Sequence, residues 1–156
     1  MSVRDAAEVS RSALQAAKVV LSPVEASRYL NPPADSAFPL EYAFHLLGDV
    51  RSKRVLDLGC GSGEEIIPLA RRGALVTGID ISEDLILLAS RRIKLEGVQA
   101  DVRIGSAYST GLPDAWVDVV FCMGLIHHLD IPLAMAEMRR VLKPDGFIIY
   151  ERACQV

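Results

Sequence analysis

Residues 55–63 read Val55-Leu56-Asp57-Leu58-Gly59-Cys60-Gly61-Ser62-Gly63, a short apolar run that breaks into alternating glycines. A run this short, bounded by a turn, reads as a buried strand. The glycines let the backbone turn tightly and let a ligand approach the main chain without meeting a Cβ atom. Downstream the pattern repeats. Residues 64–72 predict a helix closed by Gly73, and residues 74–79 a second strand ending at Asp80. Ser82 reads as an N-cap, with Glu83 and Asp84 in the first turn where the helix dipole favours carboxylates. The helix it opens carries Leu85, Leu88, Ala89 and Ile93 on one face and stops before Gly97. Strands are expected at 99–104, 117–123 and 147–151, a helix at 132–142, and a turn at Lys143-Pro144-Asp145-Gly146. Apolar strands alternating with amphipathic helices predict a doubly wound α/β domain. Its mostly parallel sheet has about five strands, with ligands bound at their carboxyl ends.

Upstream of this stretch the character changes. Val9, Ala13, Ala16, Ala17 and Val20 recur at helical spacing and predict a first helix ending near Ser22-Pro23. Residues 31–36 form a loop by their turn chemistry, and 39–47 a second helix stopped by Gly48. The expected organisation is an N-terminal helical segment, a lid or cap, over 1–50 and a ligand-binding core over 51–156. The chain has 156 residues, 51% hydrophobic and 24% charged, which fits one packed domain. Its formal charge of −3 argues against a nucleic-acid binder working through a basic surface. No apolar run approaches the length of a transmembrane segment, and the charged first twenty residues hold no signal-peptide core. Cys60, Cys122 and Cys154 are odd in number and lack metal spacing, so reduced thiols in a cytoplasmic protein are expected, with no metal site.

The chemistry is carried by the glycine turn and two acids. Asp57 stands at the end of the first strand, where a carboxylate can engage a cationic or hydroxyl-bearing ligand. Asp80 ends the second, 17 residues beyond Gly63. A carboxylate there can accept from both hydroxyls of a ribose. A dinucleotide fingerprint wants Gly-x-Gly-x-x-Gly, so that a pyrophosphate sits on the helix N-terminus. Here the spacing is Gly-x-Gly-x-Gly, followed by Glu64 and Glu65, which would repel a pyrophosphate but suit an amino group and a sulfonium.

The ordered set resembles class I S-adenosylmethionine-dependent methyltransferases, in the type 11 branch that includes ubiquinone- and menaquinone-biosynthesis enzymes. Residues 55–63 and Gly78-Ile79-Asp80-Ile81-Ser82 are similar to the first two family motifs. Gly105-Ser106-Ala107, Leu112-Pro113-Asp114 and Val117-Asp118-Val119-Val120 are similar to the third. Leu125-Ile126-His127-His128-Leu129 and residues 140–146 resemble the fourth and fifth, and the likeness covers about 53–151. It implies a Rossmann-like core, S-adenosylmethionine as cofactor, S-adenosylhomocysteine as product, and a small-molecule methyl acceptor. By position, Gly59, Gly61 and Gly63, with Cys60 between them, would border the methionine part, and Asp57 would lie near its amino group. Asp80 would hold the ribose, and Ile81 and Leu85 would pack beside the adenine or ribose. Ser106 and Ala107 would meet the adenine edge, and Met123 would approach the methionine. Many family members carry an acid where this chain has Ser106, a neutral and weaker acceptor.

His127 and His128 are candidate bases because imidazole titrates near neutrality, but shaping the fourth-strand loop or capping the next helix is the favoured account, since methyl transfer to a carbanion, thiolate or amine needs no enzyme base. Tyr29, Tyr42 and His45 read as helix-packing residues. Two other functions stay open on sequence: a cofactor-binding module without independent activity, and a nicotinamide-dependent oxidoreductase. The family continues past the fifth strand with a helix and two further strands. The resemblance therefore implies either a fragment or a protomer that forms a homodimer through that strand.

Overall fold

The computed structural model describes residues 3–16 and 21–151. Ala17, Val20 and Cys154 therefore lie outside the described residues. The elements are α1 (Val3–Ala16), α2 (Ser27–Leu30), α3 (Pro39–Leu47), β1 (Arg54–Leu58), α4 (Ile66–Arg71), β2 (Leu75–Asp80), α5 (Glu83–Glu96), β3 (Asp101–Ile104) and β4 (Val117–Cys122). A 3₁₀ turn (Ile126–His128), α6 (Ile131–Val141) and β5 (Leu142–Tyr150) follow. The strands form one sheet in the order β3-β2-β1-β4-β5, every pair parallel. Winding reverses between β1 and β4, and a crevice opens at such a switch point.

Strand alternation sorts the core into two layers, because successive side chains leave opposite faces of a strand. Val55, Val76, Val119 and Phe121 face one way and pack with Phe44 and Leu47 of α3 and with Ile66, Leu69 and Ile86. Leu56, Leu58, Val120 and Cys122 face the other way and meet Ala134, Met138 and Val141 of α6. Tyr29 packs on Phe44 with ring centroids 5.0 Å apart, and Tyr42 stacks on His45 at 6.1 Å. Two guanidinium groups tie the N-terminal helices to this core through main-chain oxygens. Arg72 donates to the carbonyls of Tyr29 (3.0 Å), Phe44 (2.7 Å) and Gly48 (2.6 Å). Arg92, only 3% exposed, donates to those of Ser62 and Ser22, both at 2.9 Å.

Several expectations need correcting. The helix expected from residue 64 begins at Ile66, with Glu65 as its N-cap, and the strand expected from 99 begins at Asp101. The short α2 has no counterpart in the sequence reading. The turn at 143–146 is not a strand connection but a bulge inside β5, which starts at Leu142. Val117 pairs with Leu142 and Val119 with Phe147, so four residues of β5 stand opposite Asp118 alone. Asp118 holds the bulge in register: it accepts from the Arg54 backbone N–H at 2.8 Å and from Lys143 Nζ at 3.0 Å. Gly146 fits there because a Cβ would come within 2.7 Å of the Asp118 carbonyl and 2.6 Å of Leu142 Cδ1. That carbonyl belongs to a central strand and cannot yield. Gly146→Ala is expected to cost about 1–3 kcal/mol, the usual range for overpacking, and to lower the melting midpoint by several degrees. An unchanged calorimetric midpoint would mean that the bulge is free to open.

Candidate active site

The glycine loop follows β1 and is bolted to the end of β2. Gly59 and Cys60 both donate to the Ile79 carbonyl, at 2.8 and 3.1 Å, and Gly63 donates to Cys60 at 2.9 Å. Asp80 faces this loop. Its Oδ2 accepts from the Gly61 N–H at 3.0 Å and its Oδ1 from the Ser82 N–H at 2.9 Å, which aims the carboxylate across the loop. Ser82 also caps α5, accepting from the Leu85 N–H at 3.3 Å. Burial raises the Asp80 pKa, against the pull of the backbone donors. Gly61 has φ of +52°, the left-handed region where a side chain is costly, and a Cβ there would meet nothing within 4 Å.

Two adjoining cavities open at this end of the sheet and share Glu8, Gly59, Leu125 and His128. Asp80, Ile81, Ser106 and Ala107 line the first; Cys60, Gly61 and Met123 line the second. Thus Gly59, Cys60, Gly61, Asp80, Ile81, Ser106, Ala107 and Met123 are brought together as the sequence suggested. Three candidates are placed off the lining. Gly63 is buried, and a Cβ on it would press within 3.1 Å of Ala89, so it serves close packing of the loop on α5. Leu85 is 2% exposed and lies in the interior. Asp57 is also buried, and its Oδ2 has no hydrogen-bond partner. Burial, with Glu65 and Asp80 nearby, holds the Asp57 carboxyl well above the usual range. Glu65, raised for the same first reason, adds a further acid beside the loop. An unpartnered buried carboxylate among like charges fits a ligand that brings positive charge.

His128 reaches both cavities, whereas His127 lies beside it, its ring tilted by 47° at 3.9 Å between centroids, and is not on the lining. Burial drives the Cys60 thiol far up, which disfavours the thiolate, and drives that of Cys122 to about 12. The sequence predicts a helix in this region but gives none of the cavity-lining side chains of α1, whose described part ends at Ala16. Asp5, Glu8 and Arg11 come from that helix to the cavity walls, and their spacing of three put them on one face. Tyr108 and Leu129 were missed as well; Tyr108 Oη accepts from the Asp130 backbone N–H at 2.9 Å and steadies the wall. Among the described residues no cluster of His, Cys, Asp or Glu could hold a metal, and no helix is long and apolar enough to cross a membrane.

Residues 56–150 match the family described as a methyltransferase domain. The chain belongs to that family. This methyltransferase domain is 33% identical over 114 residues to the ubiquinone biosynthesis O-methyltransferase of Nitrosomonas europaea, covering 71% of the chain and 48% of that protein. It is 31% identical over 138 residues to the enzyme of the same name from Alkalilimnicola ehrlichii, covering 80% and 54%. The methyltransferase domain spans about half the length of the curated relatives it matches. The crystal structure of YcgJ from Bacillus subtilis superposes with a TM-score of 0.64 at 30% identity, covering 69% of this chain and 49% of that one. Phosphoethanolamine N-methyltransferase 1 of Haemonchus contortus, solved with phosphoethanolamine and S-adenosylhomocysteine, shares the fold. Its TM-score is 0.75 at 24% identity, over all of this chain and 34% of that one.

Proposed function

We propose that the chain forms the cofactor site of an S-adenosylmethionine-dependent methyltransferase acting on a small molecule, with an oxygen nucleophile as the methyl acceptor. The observation that carries the reading is the Asp80 carboxylate, held across the glycine loop by the Gly61 and Ser82 N–H groups in a chain of this family. Its remaining lone pairs suit a ribose diol. Ser106 and Ala107 stand where an adenine edge would rest, and the acids Asp57 and Glu65 suit a ligand carrying an ammonium and a sulfonium. When bound, S-adenosylmethionine supplies an electrophilic methyl group. The residues of the chain contribute alignment: the loop fixes one partner, Met123 and His128 border the other, and α1 shields both from water. An oxygen acceptor is supported by the names of the O-methyltransferase relatives. We further assign residues 1–50 the role of lid, since Asp5, Glu8 and Arg11 belong to both that segment and the cavity walls.

Calorimetry with S-adenosylhomocysteine and with NAD tests the reading. Tighter binding of S-adenosylhomocysteine is expected, because Glu64 and Glu65 flank the loop where a pyrophosphate would sit. Tighter binding of NAD would overturn it in favour of an oxidoreductase.

A further inference from the structure

Arg11 of α1 donates from Nη1 to Nδ1 of His128 at 2.7 Å. A guanidinium has only donors, so Nδ1 must present its lone pair, and the neutral ring then carries its proton on Nε2. The nitrogen left for a ligand is an N–H donor. Arg11 is itself held by Glu8, three residues back on α1, at 3.0 Å. The cavity walls carry groups of both kinds. Asp5, Glu8, Glu64, Glu65 and Asp80 are acids, while Arg11 and His128 bring donors. The acids match a sulfonium and an ammonium; the donors match an oxygen bearing lone pairs.

We propose that His128 positions the oxygen of the methyl acceptor by donating from Nε2, rather than deprotonating it, and that Arg11 locks the ring in that tautomer. The proposal rests on the methyltransferase reading above. It implies an acceptor acidic enough to lose its proton to solvent, such as a phenol. The arrangement also carries a pH dependence. Among the described residues, His127 beside the ring, and Arg11 and Glu8 facing it from α1, act on its charge. Burial, His127 and Arg11 lower the His128 pKa from 6.5, and Glu8 opposes them. Protonation would set an N–H on Nδ1 against the guanidinium. The α1 contact is therefore complete above pH 6.5 and weakens as pH falls below it, because the released ring takes the proton first.

Nitrogen-15 spectra of the imidazole at neutral pH test the tautomer. The Nε2–H form is expected in the wild type, and a mixture of tautomers in Arg11→Met. An Nδ1–H ring in the wild type, or an unchanged ring in Arg11→Met, would overturn the proposal. The donor role is read by titrating 4-nitrophenolate, in the presence of saturating S-adenosylhomocysteine, into wild type, His128→Gln and His128→Phe. The glutamine amide can donate from the Nε2 position but has no basic nitrogen. His128→Gln should bind within about threefold of wild type and His128→Phe about tenfold more weakly. Equal losses in the two variants, or no binding to wild type, would sink the donor role. S-adenosylhomocysteine calorimetry on the same samples separates the hypotheses: failure to bind it condemns the methyltransferase reading and leaves the tautomer result standing.

Discussion

Gly61→Val is expected to weaken S-adenosylhomocysteine binding more than a hundredfold while the protein still folds. A Cβ at position 61 meets no protein atom within 4 Å, so the space it would enter is cavity rather than core. The residue lines that cavity, and its N–H is already committed to Asp80. A β-branched side chain would stand where a ligand must lie against the main chain. The left-handed backbone adds strain of about 1–3 kcal/mol, which the rest of the fold must absorb. Gly61→Ala separates the two effects, since it carries most of the backbone strain and little of the obstruction. Calorimetric titration paired with thermal melts gives both readings. Valine that lowers stability yet binds S-adenosylhomocysteine normally would take the loop out of the site.

The second large effect is at Asp80. Asp80→Ala should weaken the same ligand by about 1.5–3 kcal/mol, roughly ten- to 150-fold, as charge-assisted hydrogen bonds vanish. The carboxylate also anchors the Gly61 and Ser82 N–H groups, so part of the loss would come from a loosened loop. Asp80→Asn keeps an acceptor oxygen and should fall between the two. Wild-type affinity in a folded Asp80→Ala protein would remove this residue from ligand binding.

Much of the fold was legible because the decisive signals are local. α3 has the expected bounds, β1 ends where the glycines begin, and the Ser82 cap and the Gly97 stop delimit α5. The bulge at 143–146 was misread as a turn for a physical reason. Its proline, aspartate and glycine are turn residues, but β5 is already paired with β4 before them, and only the partner strand discloses that. The site was legible where a residue touches the cavity from the core's own motifs, as with Gly61, Asp80 and Ser106. Gly63 and Leu85 belong to the motif, but the packing turns them inward, off the cavity lining. The site was not legible at Glu8 and Arg11, whose meaning depends on a helix more than a hundred residues away from His128 in sequence.

Arg72 and Arg92 take hold of the main-chain carbonyls of Ser22, Tyr29, Phe44 and Gly48, and no side chain of those residues enters the bonds. A carbonyl is the same whichever residue bears it. This part of the attachment of α2 and α3 is therefore set by an arginine of the core, alongside the packing of Phe44 and Leu47. The exposed faces of these helices are free to change in sequence without shedding that anchor. The lid proposed above for residues 1–50 would keep these bonds through changes in its outer surface.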